Sequence, residues 1–110
     1  MSAAAAIRIS SADNAELSGD LTFKTVKDLA TEAETLFGAS KSIKQLDLSA
    51  VERVDSSGLA LLLEWQASAK NRGALLQILH APDDLISLAK LCEAEDLLQL
   101  QSRNLNDSSL

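Results

Sequence analysis

The pattern of apolar and polar positions first predicts two short strands near the start of the chain. Residues 7–10 and 15–21 alternate between apolar and polar side chains, which is the period of a half-buried strand. The segment between them contains Ala12, Asp13 and Asn14, of which the last two are common turn residues. We therefore expect these two strands to form an antiparallel hairpin.

The next segment has the period of an amphipathic helix. Its apolar residues, three or four positions apart, are Val26, Leu29, Ala30, Ala33, Leu36 and Phe37. Thr25 and Asp28 have the spacing of a capping box, in which two side chains satisfy free N–H groups at a helix start. Gly38 suits the position just past a helix end, where a left-handed backbone is common. We expect a helix that begins near Thr25 and ends before Gly38.

Strands and helices alternate through the rest of the chain. Residues 43–48 predict a third strand, and residues 57–71, closed by Gly73, predict a second helix. Residues 75–80 are apolar on nearly both faces, so we expect a strand in the interior of a parallel sheet. The Pro-Asp-Asp segment 82–84 opens a third helix, since proline and acidic residues both suit a first turn. The inward face of that helix should hold Leu85, Leu88, Ala89 and Cys92.

The predicted order is strand, strand, helix, strand, helix, strand, helix. Alternating strands and helices favour parallel pairing through right-handed crossovers. We therefore predict a single α/β domain, a small mixed sheet with an N-terminal antiparallel hairpin followed by alternating helices and parallel strands. The domain should span residues 7–100, with 1–6 and 101–110 as flexible termini.

Composition and charge narrow the classes of function. With 110 residues, the chain suits one domain with its own hydrophobic core. A formal net charge of −6 and ten scattered basic residues argue against binding to nucleic acid or anionic lipid. No apolar run reaches the roughly 20 residues that a membrane helix needs, and the N-terminus lacks the pattern of a secretory signal. We expect a cytoplasmic protein with no direct membrane insertion.

Few residues could support catalysis or hold a cofactor. Cys92 and His80 are the single cysteine and the single histidine, too few for an internal disulfide or a Cys/His metal site. Residues 54–58 (Val-Asp-Ser-Ser-Gly) keep only the last glycine of a nucleophile elbow, and the chain lacks a glycine-rich phosphate loop. His80, the sole candidate base, lies at a predicted strand end, where a structural role is more common. We expect no enzymatic activity, no metal and no cofactor.

The segment 54–58 joins the third strand to the second helix and allows two interpretations. Asp, Ser and Gly are preferred at such turns, so Ser56 or Ser57 could simply cap the helix. However, a cap needs one polar side chain, whereas three stand here at the carboxyl end of a strand, where open α/β sheets place functional loops. A helix N-terminus also suits an anion, so phosphorylation of Ser56 could add negative charge without unfolding the domain.

The second helix carries more apolar surface than one sheet face can cover. At about 100° per residue, its apolar side chains span an arc of roughly 200°. Two alternatives follow: neighbouring helices bury the excess, or Leu61 and Trp65 form an exposed apolar patch beside the 54–58 loop, as at a protein interface. The apolar residues of this arc are Leu59, Leu61, Leu62, Leu63, Trp65 and Ala69.

Residues 46–63, LDLSAVERVDSSGLALLL, resemble the central motif of STAS domains. Segments 15–22, 57–73 and 88–98 support the resemblance, which covers about residues 7–100. The STAS fold is shared by anti-sigma-factor antagonists and related regulatory modules. The resemblance therefore implies the fold predicted above and a regulatory or binding role.

Two branches of the STAS family are similar to this chain. In the antagonist branch, the serine directly after the motif Asp, here Ser56 after Asp55, is phosphorylated by a partner anti-sigma kinase, and phosphorylation releases that kinase. In the other branch, to which GLALLLEW and GDLTFKTV are similar, the STAS domain is the cytosolic subunit of a Mla-type ABC transporter. Such transporters move phospholipid between the membranes of Gram-negative bacteria. Their STAS subunit contacts the ATPase subunit, within a complex that includes a membrane permease.

We favour the transporter branch, because bulky apolar residues beside the loop suit a constitutive interface. The resemblance then implies a non-catalytic subunit, peripheral at the inner membrane through its partner, that supports the ATPase and outer-membrane lipid asymmetry. Ser56 would be the contact point, or the phosphorylation site in the antagonist alternative. The other partner-binding residues would be Asp55, Ser57 and Gly58 in the loop and Leu59, Leu61 and Trp65 in the helix.

Overall fold

The computed structural model describes residues 5–11, 13–39 and 43–98, with the side chains of residues 36–39 left aside. Strands and helices alternate after an initial pair of strands. The elements are β1 Ala6–Ser11, β2 Asn14–Leu21, α1 Val26–Ala39, β3 Gln45–Val54, α2 Ser56–Asn71, β4 Gln77–Leu79, α3 Asp83–Leu91 and α4 Glu95–Leu98.

The four strands form one mixed sheet in the order β1-β2-β3-β4. β1 and β2 pair antiparallel, with Ile7 opposite Leu17. β3 is parallel to β2, and β4 is parallel to β3, so α1 and α2 are the crossover connections. The predicted fold class is confirmed: a small mixed sheet begins with a hairpin and continues through alternating helices and parallel strands.

One face of the sheet is apolar and covered by helices, whereas the other face is polar. In β3, Leu46 and Leu48 are fully buried, but Asp47 between them is only partly buried. The strand register extends this alternation across the sheet, because Ala15 lies beside Leu46 and Glu16 beside Asp47. α1 packs on β1, α2 on β2 and β3, and α3 on β3. The domain therefore has two layers with the core between them.

α2 lies among the other helices, with contacts to α1, α3 and α4. These neighbours bury the excess apolar surface predicted for this helix, which decides between the two alternatives given above. Gly73 closes the helix as predicted, since its φ of 74° is left-handed and the Ala74 N–H donates to the Ala69 carbonyl at 2.9 Å. The buried residues of α2 are Gly58, Leu59, Leu61, Leu62, Gln66 and Ala69.

Gln66 is a polar residue of the core that the sequence did not single out. Its side chain is 5% exposed. Its Nε2 donates to the carbonyl oxygens of Leu76 at 2.6 Å and Leu98 at 2.8 Å, and its Oε1 accepts from the Leu76 N–H at 2.8 Å. One buried amide therefore fastens the segment before β4 and the end of α4 to α2.

α1 begins at Val26, directly after Thr25, so its predicted start is confirmed. The Thr25 hydroxyl donates to the Asp20 and Thr22 carbonyls and accepts from the Thr22 N–H at 3.0 Å. The Thr25 side chain therefore bonds to the turn before the helix, whereas the predicted capping box would bond it to the Asp28 N–H. At its other end α1 continues to Ala39, so Gly38 lies inside the helix rather than past it.

Two further expectations are wrong. β4 contains only Gln77–Leu79 and lies at the sheet edge, not in the interior. In α3, Leu85 and Ala89 are buried as predicted and Leu88 is half-buried, but Cys92 is exposed because it lies past the last helical turn. At the N-terminus, β1 begins at Ala6, one residue before the predicted start of the domain. Residues 1–4 and 101–110, also predicted to be flexible, lie outside the described residues.

Candidate functional site

The junction between β3 and α2 is organised by Asp55. Its backbone is extended, with φ −108° and ψ −171°, and its Oδ1 accepts hydrogen bonds from the N–H groups of Ser57 at 2.8 Å and Gly58 at 3.1 Å. Asp55 is therefore the N-cap of α2. The prediction that Ser56 or Ser57 caps the helix is wrong, because the carboxylate one position earlier already holds the two N–H groups.

Gly58 allows α2 to approach β2 at very close range. A Cβ atom at this position would lie 2.3 Å from the Leu21 carbonyl oxygen and 2.8 Å from the Leu21 Cβ. The same carbonyl accepts the Asp55 N–H at 3.0 Å, so the end of β2, the cap and the first turn of α2 are locked together. The predicted role of Gly58 in shaping the loop has this physical basis.

Ser56 is the first residue of α2, and it is exposed, whereas Ser57 is half-buried. Because Asp55 performs the capping, the Ser56 side chain is not needed to start the helix. A phosphate on Ser56 would find the Ser57 and Gly58 N–H groups already taken by the Asp55 carboxylate. It would add a charge of about −1.5 to −2 beside that carboxylate, so such a modification would change the surface sharply.

A second loop reaches the same junction. The Phe23 N–H donates to the other Asp55 oxygen, Oδ2, at 3.1 Å, which ties the β2–α1 turn to the start of α2. The Phe23 side chain is 70% exposed. The sequence analysis did not select this residue, although an aromatic side chain two positions after a predicted strand end, between polar residues, was an available signal.

The three apolar residues expected to face a partner are placed differently from one another. Leu59 and Leu61 are only 3% and 6% exposed, so the expectation of an exposed patch that includes Leu61 is wrong. Trp65 is half-buried and packs against the core. The outward side of α2 near Ser56 instead presents Ala60 and Glu64.

His80 lies well away from Ser56. Its Nδ1 is 3.0 Å from Asp47 Oδ1, and both side chains are partly exposed. Asp47 is near the start of β3 and Ser56 follows its end at Val54, so about 23 Å of strand lies between Asp47 and Val54 at about 3.3 Å per residue. These two residues therefore do not form a Ser–His pair.

Opposing effects set the pKa of the Asp47 carboxyl on this polar sheet face. Burial acts to raise its pKa, but hydrogen bonds from Ser49 and His80 and the charge of His80 outweigh that effect. The pKa of Asp47 therefore lies below its ordinary value of 3.8. The pair holds the end of β4 to β3, which is a structural task.

The described ranges lack both a membrane-spanning helix and a cluster of metal ligands. Within residues 5–11, 13–39 and 43–98, no helix has the length and apolar character to cross a membrane. The same ranges contain no group of three or more His, Cys, Asp or Glu side chains arranged to hold a metal ion.

Comparison with known proteins gives matches of two kinds. The family model described as "Mlab, STAS domain" matches residues 7–100. The intermembrane phospholipid transport system binding proteins MlaB of Escherichia coli (strain K12) and of Shigella flexneri are each 39% identical to this chain over 79 residues, which are 72% of this chain and 78% of the relative.

A solved structure gives a second, fold-level match. The anti-sigma factor antagonist SpoIIAA in its unphosphorylated form superposes with a TM-score of 0.64, covering 96% of this chain and 94% of SpoIIAA. The sequences are only 12% identical, so this similarity shows a shared fold.

Proposed function

We propose that this chain, which belongs to the MlaB-type STAS domain family, is the STAS subunit of a phospholipid-transporting ABC complex. In this role it binds and supports the ATPase subunit of a Mla-type transporter, within a complex that includes the permease. It has no catalytic task of its own, and it works in the cytoplasm at the inner membrane through its partner. The transporter would help maintain the lipid asymmetry of the outer membrane.

The observation that carries this proposal is the 39% identity to the MlaB relatives over most of both chains. The geometry of the β3–α2 junction supports a binding role, because Ser56 is exposed on a rigid helix start that does not need it for capping. An exposed residue that the fold does not need, at the carboxyl end of a parallel strand, is well placed to contact another protein.

Each residue of the predicted site has a distinct task in this proposal. Ser56 makes the contact, and Asp55 and Gly58 fix the helix start beneath it. The Ser57 N–H donates a hydrogen bond to the capping carboxylate of Asp55. The buried Leu59 and Leu61 hold α2 against the core, so they support the surface from below, and the half-buried Trp65 packs alongside them.

Affinity purification of the tagged full chain from cells that produce it naturally tests the proposal. The wild-type chain should recover an ABC ATPase subunit together with a membrane permease. Ser56→Arg should lose both, because a long charged side chain cannot fit a close interface. Ser87→Arg is the matched control, since Ser87 is an exposed serine of α3, and it should recover the same proteins as wild type. Recovery of neither transporter subunit by the wild-type chain contradicts the proposal.

The second candidate function is an anti-sigma-factor antagonist controlled by phosphorylation of Ser56. It is favoured by one observation, the phosphorylatable serine exposed at the motif position directly after Asp55. The phosphate would stand beside the Asp55 carboxylate and could abolish a contact with an anti-sigma kinase. The intact mass of the protein from its native cells decides: a phosphorylated fraction that disappears in Ser56→Ala supports this alternative, and an unmodified mass throughout growth opposes it.

A further inference from the structure

We infer that Phe23 is the apolar anchor of the Ser56 surface, and that its ring enters an apolar pocket on the same protein partner that contacts Ser56. This inference rests on the proposed function and adds to it a residue from a different loop. The partner surface must then combine a polar group for the serine with a neighbouring pocket wide enough for an aromatic ring.

Exposure of Phe23 is unusual for this composition. The chain has two phenylalanines, one tryptophan and no tyrosine, and its core is built from aliphatic residues. An aromatic ring that is 70% exposed leaves a large apolar area in water that folding does not use. Aromatic residues are enriched in protein interfaces and among the residues that dominate their binding energy.

The loop that carries Phe23 is held in one conformation. The Thr25 N–H donates to the Thr22 carbonyl at 2.9 Å, and the Thr25 hydroxyl bridges Asp20 and Thr22. The Phe23 N–H is fixed by Asp55 Oδ2 at 3.1 Å. A partner therefore loses little conformational entropy from this loop when it binds the ring.

One carboxylate sets the position of both parts of the surface. Asp55 Oδ1 holds the first turn of α2, where Ser56 lies, and Asp55 Oδ2 holds the backbone of Phe23. The serine and the aromatic ring thus belong to one rigid unit, although 33 positions separate them in sequence. In contrast, the exposed Leu91 lies at the end of α3, which follows β4 in the chain and packs on β3, α2 and α4.

A protein pocket fits this surface better than a lipid bilayer does. A single inserted ring contributes only a few kcal/mol of apolar transfer, and stable membrane attachment needs a second signal such as a basic patch. The chain has a net charge of −6, which anionic lipid repels. The two occupants are separated by the test below.

Equilibrium binding of fluorescently labelled full chain to the purified ATPase subunit tests the inference. Phe23→Ala should raise Kd by about tenfold or more, as loss of an aromatic hot spot does. Leu91→Ala, which removes a side chain that is 80% exposed, should leave Kd within about twofold of wild type, since it lies outside the proposed surface. The melting temperature of Phe23→Ala should match wild type, because an exposed ring adds little to folding, and this separates a binding role from a structural one.

Each outcome of this experiment is decisive. No binding by the wild-type chain overturns the proposed function and this inference with it. Loss of binding in Ser56→Arg together with wild-type affinity in Phe23→Ala overturns the inference alone. Sedimentation of the wild-type chain, but not Phe23→Ala, with vesicles of phosphatidylethanolamine and phosphatidylglycerol would assign the ring to lipid and also overturn it.

Discussion

Replacement of Gly58 by alanine should destabilise the domain, although alanine favours a helix more than glycine does. In a helix interior, alanine is better than glycine by about 1 kcal/mol, which is an upper limit for Gly58 in the first turn of α2. The added Cβ would, however, lie 2.3 Å from the Leu21 carbonyl oxygen, 2.8 Å from the Leu21 Cβ and 3.0 Å from the Leu21 carbonyl carbon. Favourable contacts need about 3.5 Å, so α2 and β2 must separate by about 1 Å.

The size of the effect follows from two opposed terms. Overpacking costs about 1–3 kcal/mol, and the upper end applies here because the obstacle is backbone that also accepts the Asp55 N–H. After the helix-propensity gain of about 1 kcal/mol is subtracted, a net loss of about 2 kcal/mol remains. With about 2.1 cal/mol/K of unfolding entropy per residue over 110 residues, this loss lowers Tm by about 9 °C.

Urea unfolding followed by circular dichroism measures the free energy of unfolding of Gly58→Ala directly. Ala60→Gly is the matched control, because Ala60 is exposed in the same helix and its change tests propensity alone, with an expected loss of about 1 kcal/mol. If Gly58→Ala proves as stable as wild type or more stable, then propensity governs this position and the close approach of α2 to β2 is refuted.

Three further predictions concern other buried or paired polar groups. Gln66→Ala should lower the free energy of unfolding by about 3 kcal/mol or more in urea, because it leaves three buried backbone groups without partners, whereas Gln77→Ala at an exposed strand position should cost well under 1 kcal/mol. Asp55→Ala should cost about 2 kcal/mol, as for the loss of a helix cap, and should speed hydrogen exchange of the Phe23 amide in NMR; unchanged exchange would contradict the link between the two loops. Asp47 has a pKa below 3.8 in the folded protein, so its ionised form stabilises the fold at neutral pH by no more than about 1 kcal/mol. The difference in free energy of unfolding between wild type and Asp47→Asn, measured in urea at several pH values, should have its full size above the pKa of Asp47 in the unfolded chain. It should vanish as the pH falls through the pKa of Asp47 in the folded protein, and a difference that grows at low pH would refute this reasoning.

Periodicity was sufficient to predict the elements that bury a continuous apolar face. The hairpin, the first two helices and the parallel order of β3 and β4 follow from side-chain spacing and from the crossover rule, and the structure has them all. The fold class was therefore accessible from sequence, because burial of apolar side chains is the largest favourable term in folding.

The errors occur where burial depends on neighbours distant in sequence. The mostly apolar residues 75–80 predicted an interior strand, yet β4 is a short edge strand in which only Ile78 is fully buried. Cys92 continues the spacing of α3, but the helix ends at Leu91 and turns it outward. A glutamine in a helix usually lies at the surface, and only the fold shows that the Gln66 amide donates to the carbonyl oxygens of Leu76 and Leu98.

The candidate site was predicted in part. Its position at the β3–α2 turn follows from local sequence, and so does the exposure of Ser56. The side chains of Asp55, Ser56 and Ser57 are all able to cap a helix. Sequence alone did not show that the Asp55 carboxylate, and not a serine hydroxyl, would accept the hydrogen bonds at the start of α2. The contribution of Phe23 was also hidden, because it depends on a hydrogen bond across 32 residues.

The most direct test of the central claim is native mass spectrometry of the purified full chain mixed with purified ABC ATPase subunit. We predict a specific complex that survives dilution to micromolar concentration and is lost in Ser56→Arg but kept in Ser87→Arg. The absence of a complex with the ATPase, together with a stable complex between the unphosphorylated chain and an anti-sigma kinase, would contradict the transporter role.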